Sequence, residues 1–218
     1  MAVLRFIASI LLLIAVIGGR IVPSFTRNWL ARRGPGRLPV EFGRADVNVV
    51  AITAIGLALW AALPDHALTG VVALVAGLAN LWRLSRWAGD RTLAEPLVTI
   101  LHVGFLFVPL GFLMLGGSAL WPEVIPRPAA QHAWMAGAIA VMTLAVMTRA
   151  SLGHSGRELT ASRGITAIYV LAIAAAAVRI AYGFMPGMQG LLHLAALLWI
   201  AGFATFTVIY APLLAKRR

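Results

Sequence analysis

The sequence has no cysteine, one lysine (Lys216) and only seven acidic residues. Without cysteine there are no disulfides, thiolate zinc sites or iron–sulfur clusters, and any metal must be held by His, Met, carboxylate or backbone groups. Charged residues make up 11% of the chain, less than half the share of a soluble domain. No nucleophile–base array, phosphate-binding loop or pair of neighbouring carboxylates occurs, and there are no repeats or low-complexity tracts. Apolar residues, by contrast, are abundant: 61% of the 218 residues are hydrophobic, and the mean hydropathy is +0.91. This composition predicts an all-α, polytopic membrane protein in contact with the lipid bilayer.

A membrane-spanning helix needs about 20 mostly apolar residues. Seven segments qualify, forming a single transmembrane domain over residues 1–218: Ala2–Gly19, Val47–Leu63, Ala67–Arg83, Pro96–Gly116, Gln131–Thr148, Gly164–Tyr182 and Met188–Leu213. The second and third are joined only by Pro64-Asp65-His66, which predicts a tight helical hairpin. Gly18-Gly19 reads as close packing or a helix end, and the following Pro23–Leu30, which mixes aromatics with arginine, as an interfacial segment lying among the headgroups. Pro109 and Pro212 are expected to kink their helices.

The cations are distributed unevenly. Fifteen of the eighteen fall in Arg20–Asp46, Arg83–Glu95, Arg149–Arg163 and the tail Lys216-Arg217-Arg218; only Arg5, Arg127 and Arg179 lie on the other side. The positive-inside rule then places the N-terminus outside and the C-terminus in the cytoplasm. The net charge of +11 is thereby explained as a topology signal, and no nucleic acid need be invoked. Asp46 and Glu95 stand near helix starts, where a carboxylate suits the positive end of the helix dipole.

Four of the five histidines lie in or beside spans, where ionisable groups are rare and face the bundle interior. His102 is six residues into the fourth span, about 9 Å at the helical rise. His154 lies just past the inner end of the fifth, so these two are expected to meet near the inner face. His132 and His193 are expected to meet near the outer face. Two imidazoles at matched depth suit a haem b, with Arg149 and Arg157 placed for its propionates. The same pairs suit copper with thioether help, and His132 and Met135 share a helix face. A histidine that only links two helices, or a methionine that only fills the core, would have the same spacing. His66 sits in a turn and reads as solvated.

Several strings resemble the NnrS family of bacterial membrane proteins: Gly19-Arg-Ile-Val-Pro-Ser-Phe-Thr-Arg-Asn28, Glu95-Pro-Leu-Val-Thr-Ile-Leu-His102, His132 with Met142-Thr-Leu-Ala-Val-Met-Thr-Arg149, and Ser151-Leu-Gly-His-Ser-Gly-Arg157. The resemblance implies a haem- and copper-containing protein of the bacterial inner membrane, acting on nitric oxide or in protection from nitrosative stress. It also implies His102, His132 and His154 as candidate ligands; His193 matches no motif of the family. Members of that family have about twelve helices and a His-x-His-Glu-Met-like motif in the N-terminal half. The present chain therefore resembles the C-terminal part, and a second copy or another subunit is expected to supply what is missing. The alternatives are a quinol-linked electron-transfer subunit with a bis-histidine haem, and a cofactor-free transporter. The apolar mid-membrane sequence argues against the transporter.

Overall fold

The computed structural model describes residues 2–215; the Lys216–Arg218 cluster of the topology argument lies outside the described residues. Seven helices are long and apolar enough to cross a membrane, and no strand occurs among the described residues. They are α1 (Ala2–Leu30), α2 (Arg44–Ala62), α3 (Ala67–Ser85), α4 (Pro96–Leu120), α5 (Arg127–His154), α6 (Arg163–Phe184) and α7 (Gln189–Ala215). A bilayer offers the backbone no partners, so each span satisfies its own peptide groups as a helix.

Two spans run well beyond their sequence-based limits. The α1 helix continues through Gly18-Gly19 and Pro23 to Leu30, so the expected interfacial segment is its last two turns. A wide π turn at Ile14–Gly18 carries the helix past the glycines. Gly19 is needed there for closeness, because a Cβ at that position would strike the Arg83 guanidinium. The α5 helix begins at Arg127, passes through a second π turn at Ala133–Ile139, and continues to His154. His154 is thus the last helical residue and does not follow the helix as expected.

The centre of the bundle is α4, with 67% of its most apolar stretch buried against 17% for α7 at the edge. Glycines let neighbours approach α4 closely: Cβ atoms at Gly104 and Gly111 would collide with Met142 and Trp134 of α5. Trp134 packs edge-on against Trp60 and Phe112, at ring-centre distances of 5.0 and 4.9 Å, and its indole N–H donates to the Val108 carbonyl at 3.0 Å. The α2–α3 hairpin forms as expected, with His66 capping α3 by accepting the Leu68 N–H at 3.2 Å. At the same end an Arg127–Asp65 ion pair ties the start of α5 to the α2–α3 turn.

Candidate functional site

The polar chemistry gathers at the two ends of the bundle. At the arginine-rich end, α5 stops in a glycine cap. Gly156 has φ +68°, the Gly156 N–H donates to the Gly153 carbonyl at 3.1 Å, and the Arg157 N–H donates to the Leu152 carbonyl at 3.0 Å. This is the helix-ending motif that uses left-handed glycine, so part of the Leu-Gly-His-Ser-Gly-Arg string serves to terminate α5. The cap leaves His154 exposed on the last turn. The returning loop is held by buried Glu95, whose Oε1 accepts the Ala161 N–H at 3.0 Å and the Leu97 N–H at 3.1 Å.

Between this cap and the end of α1 lies a cavity of about 880 Å³. His154 and Arg149 line it from α5, Arg32 and Arg33 from just beyond α1, and Glu158 from the loop after α5, while Ile21, Phe25 and Trp29 supply apolar wall. The Arg149 guanidinium lies 4.3 Å from the Phe25 ring centre, and Arg33 lies 4.2 Å from that of Trp29. Nη1 of Arg149 is buried without a hydrogen-bond partner. Burying a guanidinium nitrogen unpaired is costly, and the lining offers one carboxylate, Glu158, against four cationic or imidazole side chains. Arg157 does not line it; its side chain is exposed.

His102 is placed differently from the sequence expectation. It is buried in α4 and does not line the cavity that holds His154. Its Nε2 lies 2.8 Å from Thr26 Oγ1. The Thr26 hydroxyl donates to the Val22 carbonyl at 2.9 Å, which leaves Nε2–H as the donor to Thr26. Nδ1 is buried and unpartnered, and a Cβ on Gly89 would stand 2.6 Å from it. His102 therefore fills the space that Gly89 leaves open, and it links α1, α4 and the Gly89–Arg91 turn.

At the opposite end, a groove of about 460 Å³ opens between α5, α6 and α7. His132, Met135 and Arg179 line it, together with Trp199 and alanines. His132 Nδ1 lies 2.6 Å from the Pro128 carbonyl. A carbonyl only accepts, so Nδ1 carries the proton and Nε2 keeps its lone pair. His193 is exposed on α7 and does not line the groove. Copper fits this groove poorly, since it would find two donors, the His132 imidazole and the Met135 thioether, with a guanidinium facing them.

One buried cluster escaped the sequence reading. Arg83, taken there only as a topology signal, is fully buried. Its Nε donates to Asp46 Oδ1 at 3.0 Å and its Nη1 to the Ala15 carbonyl at 2.9 Å, beside the π turn of α1. Asp46 also faces Arg86 at 3.5 Å and accepts the Gly43 N–H at 3.1 Å. The signal was present in the hairpin arithmetic. Asp46 and Arg83 stand 65 − 46 = 19 and 83 − 65 = 18 positions from Asp65 in the turn, so antiparallel helices bring them to the same depth.

The pattern that defines the family described as NnrS protein matches residues 1–218, the whole chain. No curated protein matches the chain, and no solved structure does. The chain therefore belongs to the NnrS family, and with its seven spans it is a multi-pass membrane protein of the nitric oxide response.

Proposed function

We propose that the cavity at the arginine-rich end is a haem b site and that the protein handles nitric oxide at the bacterial inner membrane, in metabolism or in protection from nitrosative stress. The observation that carries this reading is Arg149, with its Nη1 unpartnered, in the wall of a large cavity that an imidazole, two further arginines and apolar side chains also line. These residues fit the group. His154 would offer an imidazole nitrogen to the iron; Arg149, with Arg32 and Arg33, would meet the propionates; Ile21, Phe25 and Trp29 would cover the macrocycle. A haem so held would supply an iron able to take a small gas. Arg149 would meet the anionic edge of the group, Phe25 would shield that contact from water, and the Gly156 cap holds His154 at the rim. His154 serves here without His102, whose Nε2 is committed to Thr26 and whose Nδ1 abuts Gly89. The arginine-rich end faces the cytoplasm in this reading. A second copy of the chain or another subunit is the candidate partner.

The experiment is a visible absorption spectrum of detergent-purified protein, oxidised and then dithionite-reduced, with iron and copper analysis. The expected result is a Soret band with reduced α and β bands, lost in His154→Ala, weakened in Arg149→Leu and kept in His102→Ala. A metal-free, featureless preparation refutes the haem, and bands that vanish only in His102→Ala refute the assignment of His154.

A further inference from the structure

The groove at the opposite end combines two hydrogen-bonding requirements that few ligands meet together. The His132 Nδ1–H is held by the Pro128 carbonyl, so Nε2 seeks a donor. Arg179 lines the same groove and offers only donors. Its guanidinium lies 5.1 Å from the Tyr182 ring centre, and among the described residues no carboxylate pairs with it. Below these two groups the lining is alanine, leucine, Trp199 and Ile200. The polar end thus lies one to two turns into α5, and an apolar channel about 12 Å long runs down α7 from Leu192 to Ile200 at the helical rise.

This shape suits an amphiphile with a small polar ring and a hydrocarbon tail. The polar pair narrows the class further. The phosphodiester group of a lipid carries no O–H of its own, so it would answer Arg179 alone and leave the His132 lone pair to some other part of the headgroup. A copper ion would use that lone pair but would meet the Arg179 charge. A phenolic hydroxyl does both things at once: its O–H donates to Nε2, and its oxygen accepts from Arg179. Trp199 presents an aromatic surface to the ring. We infer that the groove between α5, α6 and α7 binds a quinol, a hydroquinone ring on an apolar tail, with His132 accepting from its hydroxyl and Arg179 donating to its oxygen. The assignment concerns binding alone and does not depend on what fills the cavity at the arginine-rich end.

The oxidised quinone lacks the O–H and loses the bond to Nε2. Reduced ligand should therefore bind more tightly than oxidised, by roughly 2- to 10-fold for one hydrogen bond. The test is anaerobic titration calorimetry of the full chain in dodecyl maltoside, with decyl-ubiquinol and decyl-ubiquinone as probes. His132→Asn keeps a donor for the Pro128 carbonyl while deleting Nε2, so it should bring the two affinities together. Arg179→Leu should weaken both forms about tenfold, the scale of one hydrogen bond from a charged donor. A purely structural role for His132 would lower both affinities and leave their ratio unchanged, which overturns the proposal. Three other results overturn it as well: no saturable binding, displacement of the probe by phosphatidylglycerol independent of residue 132, or cuprous ion bound in the groove and lost in Met135→Leu. Unfolding midpoints of both variants, measured in the same detergent, establish that each is folded before its affinities are compared.

Discussion

Removing the Asp46 carboxylate leaves a guanidinium buried with no compensating charge. In Asp46→Ala, Arg83 keeps its bonds to the Ala15 and Gly19 carbonyls and its place over the Trp87 ring, but the charged group nearest to it is then the Arg86 cation. Breaking a buried pair by deleting one partner costs about 3–5 kcal/mol. The mutation also removes the acceptor for the Gly43 N–H at the start of α2, a cap contact of about 1 kcal/mol. The double variant Asp46→Ala/Arg83→Met should behave differently. Its thioether chain fills most of the arginine volume and leaves no charge behind, so the remaining deficit should be near the cap loss of about 1 kcal/mol. The assay is equilibrium unfolding in mixed dodecyl maltoside and dodecyl sulfate, followed by far-ultraviolet circular dichroism and arranged as a double-mutant cycle. A double variant no more stable than Asp46→Ala, or a single variant within about 1 kcal/mol of the parent, would show that the pair is not a dry clamp and refute the reasoning.

Two further perturbations test the neighbouring contacts. Gly89→Ala should push the His102 ring off Thr26 and cost about 1–3 kcal/mol as an overpacked core, read as a lower unfolding midpoint that Gly89→Ala/His102→Ala partly restores. Asp90→Asn should release the loop between α1 and α2, because Asp90 pairs with Arg37 while Arg91 holds the Arg37 carbonyl; faster tryptic cleavage after Arg37 with an unchanged midpoint is the expected outcome, since an exposed pair is worth at most about 1 kcal/mol. The hydrogen bond from Arg37 holds the Asp90 carboxyl below its ordinary value. The pair's contribution is therefore complete above the unfolded carboxylate pKa, about 3.9, and is lost only as pH falls through the lower folded value. Loop protection should stay constant from pH 8 to pH 5, and a loss within that range would refute the pairing.

The seven spans were legible because length and hydropathy together leave a bilayer segment few alternatives. Their ends were less so. Gly18-Gly19 reads either as close packing or as a helix end; the structure takes the first, with Gly19 a seat for Arg83, and a π turn carries α1 onward. The sequence named both histidines of the expected inner pair and estimated their depths, but depth says nothing of azimuth. His102 faces Thr26 and Gly89, while His154 faces the cavity. Periodicity could not separate those directions, because both residues lie on helices whose several faces pack against neighbours. Arg149 was read from its position at the end of an apolar span, where a cation must be paired, stacked or wetted; its stacking on Phe25 needed the fold, because the two residues lie on different helices.

The distribution of polar groups bears on how the proposed chemistry is reached. The two lined openings with histidine lie at opposite ends of the bundle, and the α4 core between them is formed by Phe105, Val108, Phe112 and Leu115, all buried. An ion or sugar would need a polar path through that core, with broken helices or facing hydroxyls. Nitric oxide is small, uncharged and soluble in hydrocarbon, so it needs no such path. It reaches a cavity through lipid as readily as through water, and a dry core costs such a function nothing. A quinol likewise enters from the side, through the bilayer rather than along a channel. The apolar middle that argues against a transporter is thus what the two proposed ligands require, and both should still bind when the core is kept apolar by substitutions such as Val108→Leu.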